Sequence, residues 1–382
     1  MRVLAAILLA VAPCIAGELA TAHYDLLAEG VDAADTGRLI EALHTRLTEY
    51  FHAAPEGRLR LEVHPSKERF RAAMLADRET PPEAGGYYSP RTRKAYLWVQ
   101  PSEYFTRQLV LHEATHQFHY LVATGNRSPG AVWYTEGLAE YFGMHDWDGE
   151  TLKTGVVPPV SLEDYPARAL EQFEGAKDDL AGVVAGRVPV DRPLAWALVH
   201  FLVNTRREEF RRVSAELDAQ RGAPALGGEA AKELRAWIEG HQQPWRILWV
   251  GWQGRGEAIE GASPTNALAV LKEAPDRLEA EIEGTHVWAG VAFGVRSVDD
   301  FWLVQAGVDG RARVVRRTGG RWRVEKTTRG EATGPRNVAV ARSGDRVEAF
   351  VDGVSLGTFD APGDVGLNVD AGRARFKVSG PR

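Results

Sequence analysis

His112 and His116 stand four residues apart with Glu113 beside the first, so residues 112–116 read His-Glu-x-x-His. On a helix, positions four apart differ by about 40° in direction and roughly 6 Å in height. Both imidazoles then leave one face and take neighbouring corners of a tetrahedral metal site. Glu113 projects to the side of that face, where a carboxylate reaches an attacking water rather than the metal and suits a general base. The chemistry of this spacing is metal-assisted hydrolysis. A catalytic zinc takes three protein ligands and keeps a fourth position open. Trp133 to Tyr141 offers Glu136 as the third ligand, with Glu140 one turn later on the same face, placed to accept from a ligating imidazole and fix its tautomer. Gly137 would let neighbouring helices approach closely. The bland alternative is a surface helix with unrelated His and Glu, since three fixed residues in five recur by chance. A second helix bringing Glu136 back to the first weighs against it.

These side chains need elements to hold them. Apolar residues at helical spacing predict a helix over 36–51, and alternation predicts a strand over 59–63. Ser66 opens a second helix through Phe70 and Met74. Tyr87-Tyr88 and Ala95 to Val99 read as the arms of a hairpin. Pro101-Ser102 opens the long helix that carries the motif, with Ser102 as N-cap, and Gly125-Asn126 stops it. A helix over 131–142 follows, residues 144–190 give no clear pattern, and a long helix runs from Pro193 to about Ala219. Near Trp252 the character changes to short alternating strands, the clearest being Val347 to Leu356 around Asp352-Gly353, a hairpin signature. Many short strands at regular spacing indicate a β-sandwich. The expected fold class is α+β for the first domain, a small sheet plus zinc-binding helices, followed by an all-β jelly-roll sandwich. The expected boundaries are a signal peptide over 1–22, a catalytic domain over 23–250 and a sandwich over 253–382.

His-Glu-Ala-Thr-His followed by Trp-Tyr-Thr-Glu-Gly-Leu-Ala-Glu-Tyr-Phe resembles the gluzincin zinc metallopeptidases, closest to a peptidase MA-like branch of bacterial envelope proteins. The resemblance covers roughly Leu59 to Leu202, and nineteen residues separate His116 from Glu136, close to the separation in the aminopeptidases of that group. It implies His112, His116 and Glu136 as ligands of Zn2+, Glu113 as base, and Glu140 in the place of a carboxylate that steadies a ligand. It also implies a peptide or protein substrate, paired with the strand before the zinc helix as an edge, here Ala95 to Val99, with an internal strand of a small sheet as the equal alternative. No Gly-x-Met-Glu-Asn segment is present, so action on a free amino terminus does not carry over. The strands from Val338 to Phe359 resemble concanavalin-A-like or laminin-G-like jelly rolls, without their binding residues. The rival expectation is an inactive peptidase-like domain that serves glycan or protein binding through the sandwich.

Other residues are candidates for lesser roles. Tyr88 or Tyr87 could donate to an oxyanion, although an aromatic pair in a hairpin is more often packing. His200 is the preferred late electrophile, and His119 and His145 read as buried helix histidines. Arg311, Arg313, Arg316, Arg317, Arg321 and Arg323 alternate as a solvated sheet face does, with binding of an anionic polysaccharide as the sharper reading.

Composition narrows the classes. A length of 382 residues suggests two domains, and 44% hydrophobic with 26% charged residues is ordinary for a globular protein. A net charge of -6 argues against nucleic acid or an anionic membrane as partner. Arg2 and the apolar run Val3 to Ala12 form an export leader, with cleavage after Ala16 or Ala22, so a periplasmic or extracellular location is expected. Cys14, the only cysteine, lies in that leader; acylation there is disfavoured by Pro13, and the mature chain has no disulfide. No later stretch is long and apolar enough for a transmembrane segment.

Overall fold

The computed structural model describes residues 17–161, 163–249, 251–255, 258–330 and 334–379. Arg2, the run Val3 to Ala12, Cys14 and a cleavage point after Ala16 lie outside the described residues. The chain divides into two compact units. The first ends at Gly155 and resumes over Asp179–Ala230, whereas the second takes Val156–Asp178 and resumes from Ala231. This differs from the single break expected between 250 and 253.

The first unit runs β1 (Gly17–Ala20), β2 (Tyr24–Ala28), α1 (Ala33–Phe51), β3 (Leu59–His64), α2 (Lys67–Ala76), β4 (Gly86–Ser89), β5 (Lys94–Trp98), α3 (Glu103–Ala123), α4 (Val132–Gly143), β6 (His145–Trp147) and β7 (Leu152–Thr154). After α5 (Tyr165–Gly175), which belongs to the second unit, come α6 (Leu180–Val184), α7 (Arg192–Thr205) and α8 (Arg207–Asp218). The five-stranded sheet has the order β1-β2-β3-β5-β4. Its inner strands β2, β3 and β5 are parallel and both outer pairs antiparallel. Leu26, Leu61, Val63, Ala95 and Leu97 are buried along the sheet, and α1 contributes Leu39, Ile40, Leu43 and Leu47. Phe70 and Met74 of α2 pack on Tyr96, whose side chain leaves the sheet opposite to its neighbours Ala95 and Leu97. Ser102 caps α3 by accepting from the Phe105 amide at 3.1 Å.

Three expectations need correcting. Gly17–Ala20 pairs with β2 from Gly17↔Ala28 to Ala20↔Asp25 and so belongs to the fold, not to a leader ending at Ala22. The segment Ala95 to Val99 is no edge. The crossover through α2 lays β5 parallel against β3, and the hairpin turns β4 to the outside, so β4 is the edge strand. The long helix expected from Pro193 is two helices, broken at Arg206 (φ -134°, ψ 45°), whose guanidinium holds Glu209 and the Gly227 carbonyl.

His145, just after α4, is buried, stacks on Tyr104 at 4.6 Å and shares a 2.8 Å hydrogen bond with the Gly143 carbonyl through Nδ1. Burial pushes its imidazole down to about 4. The folded chain therefore holds it neutral where the unfolded chain, with a value near ~6.5, takes up a proton. The stability from this residue is complete above pH ~6.5 and is lost as pH falls toward 4, a loss of about 3 kcal/mol. Denaturant titrations between pH 7 and 4 should show that part of the decline missing in His145→Phe. Parallel declines in the two proteins would refute it.

The second unit combines α5 and α9 (Ala230–Gly240) with β8 (Trp245–Trp249), β9 (Trp252–Arg255), β10 (Ala258–Leu271), β11 (Arg277–Ser297), β12 (Asp300–Gly307), β13 (Ala312–Thr318), β14 (Arg321–Thr328), β15 (Arg336–Ser343), β16 (Arg346–Val351), β17 (Val354–Asp360) and β18 (Asp364–Ser379). It is an all-β sandwich with two helices attached. The long strands β10, β11 and β18 pair along most of their length and carry different neighbours at each end. β11 holds β15 at its start and β12 at its end; β10 holds β9 and then β8. The ladder thereby closes around one core that includes Phe293, Val304, Val340, Leu367 and Phe376. Where short strands were expected, Leu278–Ile282 and Val291–Val295 belong to one long strand, β11. Asp352 and Gly353 turn β16 into β17 with φ of 51° and 78°, as a two-residue hairpin requires. Val160 lies in the sandwich core, and Arg235 of α9 binds Glu174 and Asp178 at α5, which explains why 156–178 falls in this unit.

Candidate metal centre

α3 brings His112 and His116 to one buried face, their Nε2 atoms 3.1 Å apart. α4 faces them with Glu136. Its Oε2 lies 3.5 Å from His112 Nε2 and its Oε1 3.4 Å from His116 Nε2. One ligand atom from each residue falls within 4.8 Å of the others, and among the described residues no other such group converges. Bonds of about 2.0–2.1 Å at tetrahedral angles space donor atoms by about 3.4 Å. The imidazole pair at 3.1 Å is near that spacing, and each imidazole has a different oxygen of Glu136 at 3.4–3.5 Å. Without a metal these two ring nitrogens are at ordinary hydrogen-bond distance, and the same approach suits two ligands of one ion. The donor set therefore fits a divalent metal.

The electrostatics favour positive charge at this point. Burial and the Arg192 guanidinium lower the His112 imidazole, but Glu140 and Glu136 outweigh them and push it up to about 9. Burial raises the Glu136 carboxyl, yet the two imidazoles hold it well below the usual carboxylate range. Glu140 is buried with Oε1 3.2 Å from His112 Nδ1, and Gln108 Nε2 donates to its Oε2 at 2.9 Å. A carboxylate on the far nitrogen fixes which nitrogen His112 presents to the site.

Glu113 is buried beside β4, and burial raises its carboxyl above the ordinary value. Gly86 makes room for it: a Cβ there would stand 2.7 Å from Glu113 Cγ and 2.7 Å from Oε1. Should the site hydrolyse a substrate, as the sequence pattern leads one to expect, Gly86→Ala would displace the carboxylate and cut that turnover by about 10²-fold, with any metal content unchanged by atomic absorption. Parental turnover would count against a role for this contact.

Gly137 serves a different neighbour from the one expected. A Cβ there would stand 2.3 Å from the Ala195 carbonyl oxygen, so this glycine admits α7, whereas Gly143 is the one that lies against Gln108 and His112 of α3. From the start of α7, Arg192 reaches both acidic residues, with Nε 3.3 Å from Glu136 Oε2 and Nη1 3.6 Å from Glu140 Oε1. The sequence reading missed Arg192. Its one signal was a cation at the head of the helix that follows the motif.

Several candidates lie elsewhere. The Tyr88 hydroxyl donates to Asn126 Oδ1 at 2.6 Å and its ring packs on Tyr120, so its proton is committed there and not to an oxyanion as expected. Tyr87, the outward neighbour, is the half-exposed one. His200 Nε2 meets the Gly155 carbonyl at 2.8 Å and Nδ1 meets Asn204, behind α4 against Tyr141; it is no late electrophile. His119 pairs with Asp218 at 2.7 Å. The arginines of the sandwich form no simple solvated face. Arg313 lies 4.1 Å over Trp288 and bonds Gln305 and Asp370, Arg316 covers Trp302, and Arg317 sits between Trp249 and Trp322. Only Arg311, Arg321 and Arg323 of the six are exposed. No helix among the described residues is long and apolar enough to cross a membrane.

No curated protein matches the sequence. Carbohydrate-binding module CBM66 from Bacillus subtilis aligns with 14% identity and a TM-score of 0.32, over 36% of this chain and 96% of its own. The GH43 protein BlXynB from Bacillus licheniformis aligns with 14% identity and a TM-score of 0.29, over 36% of each chain. Galectin LEC-6 from Caenorhabditis elegans aligns with 16% identity and a TM-score of 0.24, over 36% of this chain and 96% of its own. Likenesses this low assign no ligand. The family described as Protein of unknown function (DUF1570) matches residues 108–222, a stretch that holds His112, Glu113, His116, Glu136, Glu140 and Arg192.

Proposed function

We propose that the first unit is a zinc-dependent peptide hydrolase of gluzincin type, exported from the cell. The observation that carries this reading is the meeting of His112, His116 and Glu136 at donor spacing with Glu113 buried alongside. Bound zinc would supply Lewis acidity to the scissile carbonyl and to the attacking water. The chain's own residues do the rest. Glu113 takes a proton from that water and returns it to the leaving amine. β4, the edge strand beside Glu113, offers its free backbone groups to an extended peptide, a role expected of Ala95 to Val99. Glu140 and Gln108 keep His112 turned to the site. The test is one equivalent of zinc in the purified full chain, with turnover of an unstructured protein that a chelator abolishes and zinc restores. His112→Ala should lose both metal and turnover. Stoichiometric metal without turnover of any peptide would defeat the reading.

A second reading, glycan binding by the sandwich, draws on one observation. Trp322 is 43% exposed on β14, at the sheet edge, beside the stacked Arg317. An exposed indole next to arginines suits a sugar face. A glycan array probed with the full chain and with Trp322→Ala tests it; binding unchanged by the substitution would reject this face.

A further inference from the structure

Glu136 and Glu140 stand one turn apart on α4, two carboxylates on the same face, and like charges so placed repel. Each is shared between an imidazole and Arg192. Glu140 Oε1 lies 3.2 Å from His112 Nδ1 and 3.6 Å from Arg192 Nη1. Glu136 has Oε1 3.4 Å from His116 Nε2, while Oε2 lies 3.3 Å from Arg192 Nε and 3.5 Å from His112 Nε2, so the arginine contacts only this second oxygen. The arginine arrives there because Ala195 and Val199, on the same face of α7, press against the bare backbone of Gly137.

A carboxylate can give a metal one oxygen or two, and the choice decides whether a catalytic site keeps a place for water. We infer that Arg192 is a positioning residue that holds Oε2 of Glu136, so that Glu136 ligates through Oε1 alone and a coordination position stays open. The inference rests on the proposed metal site. Arg192 acts through Glu136 and does not itself ligate, because a guanidinium remains protonated and has no lone pair to offer. Its fixed fork suits this task better than a lysine ammonium, which supplies charge without the paired geometry.

The sign of the effect separates this role from plain scaffolding. Removing Arg192 frees Oε2 to join the metal and removes a positive charge from its surroundings. Arg192→Ala should therefore bind zinc at least as tightly as the parent in a chelator competition, whereas loss of a supporting contact would weaken binding by about 10–100-fold. With Co(II) in place of zinc, the parent should give the intense visible absorption of a four-coordinate ion and Arg192→Ala the weaker bands of a five-coordinate one. Arg192→Lys should restore part of the parental spectrum. Peptide turnover should fall about tenfold or more in Arg192→Ala. Identical Co(II) spectra in parent and variant, or weaker metal binding in the variant, would overturn the inference. Should Arg192→Ala fail to fold by circular dichroism, Arg192→Gln carries the same comparison. A parent chain that takes up no metal would instead remove the proposed function, and this inference with it.

Discussion

Glu113→Gln is expected to lose about 10²–10⁴-fold in peptide turnover while keeping zinc at the parental stoichiometry. The amide matches the carboxylate in size, so the packing under Gly86 is preserved and only the basic oxygen disappears. Glu113 is not among the residues whose donor atoms converge, so metal binding has no reason to follow. The buried position makes the group worth removing. Desolvation raises its affinity for a proton, and a carboxylate so raised is a stronger base for a water than an exposed one. Turnover and metal content measured on the same preparation decide the matter. A fully active Glu113→Gln would show that the proton goes elsewhere, and loss of zinc with activity would show that Glu113 supports the ligands.

The second large effect concerns Gly137→Ala, expected to destabilise the folded chain by up to about 2 kcal/mol. The added methyl would sit 2.3 Å from the Ala195 carbonyl oxygen and 2.6 Å from Val199 Cγ2, and the first of these is backbone that cannot rotate away. Forced overpacking costs about 1–3 kcal/mol, and relieving it here means moving one helix off another. Alanine's better helix propensity returns up to about 1 kcal/mol, which is too little to change the sign. Because α7 also delivers Arg192, turnover should fall beyond what the unfolded fraction explains. Chemical denaturation gives the answer, and a variant as stable as the parent would mean that the crossing is looser than described.

The convergence of His112, His116 and Glu136 could be read from spacing because helical geometry is local: four residues fix the relation of His112 to His116, and one short connection returns Glu136. Ser102, the Asp352-Gly353 turn and the β4–β5 hairpin were legible for the same reason, each being settled within a few residues. Arg192 was not, since its place depends on a helix crossing made by Gly137 and Ala195, 58 positions apart in numbering. Whether Ala95 to Val99 is an edge or an internal strand stayed open, because the order β3-β5-β4 comes from a parallel crossover, which alternation within a strand cannot encode. α3 is buried almost all round, so its pattern gave no apolar stripe to orient it. Arginines in alternation looked solvated, yet Arg313, Arg316 and Arg317 lie on indoles, because a guanidinium stacks on an aromatic face as readily as it meets water.

The interleaving of the two units bears on how the polypeptide is made. Val156–Asp178 emerges from the ribosome ahead of Asp179–Ala230, but its packing partners begin only at Ala231. Val160 and α5 must therefore wait, unpaired, while the rest of the first unit is completed around them in sequence. Such long-range closure is slow and leaves apolar surface open to aggregation during synthesis. For the same reason a fragment cut at residue 252 would orphan α5 and α9, and one beginning at 253 would lack the Val160 and Trp245 side chains that fill its interior. Neither half is an independent folding cassette.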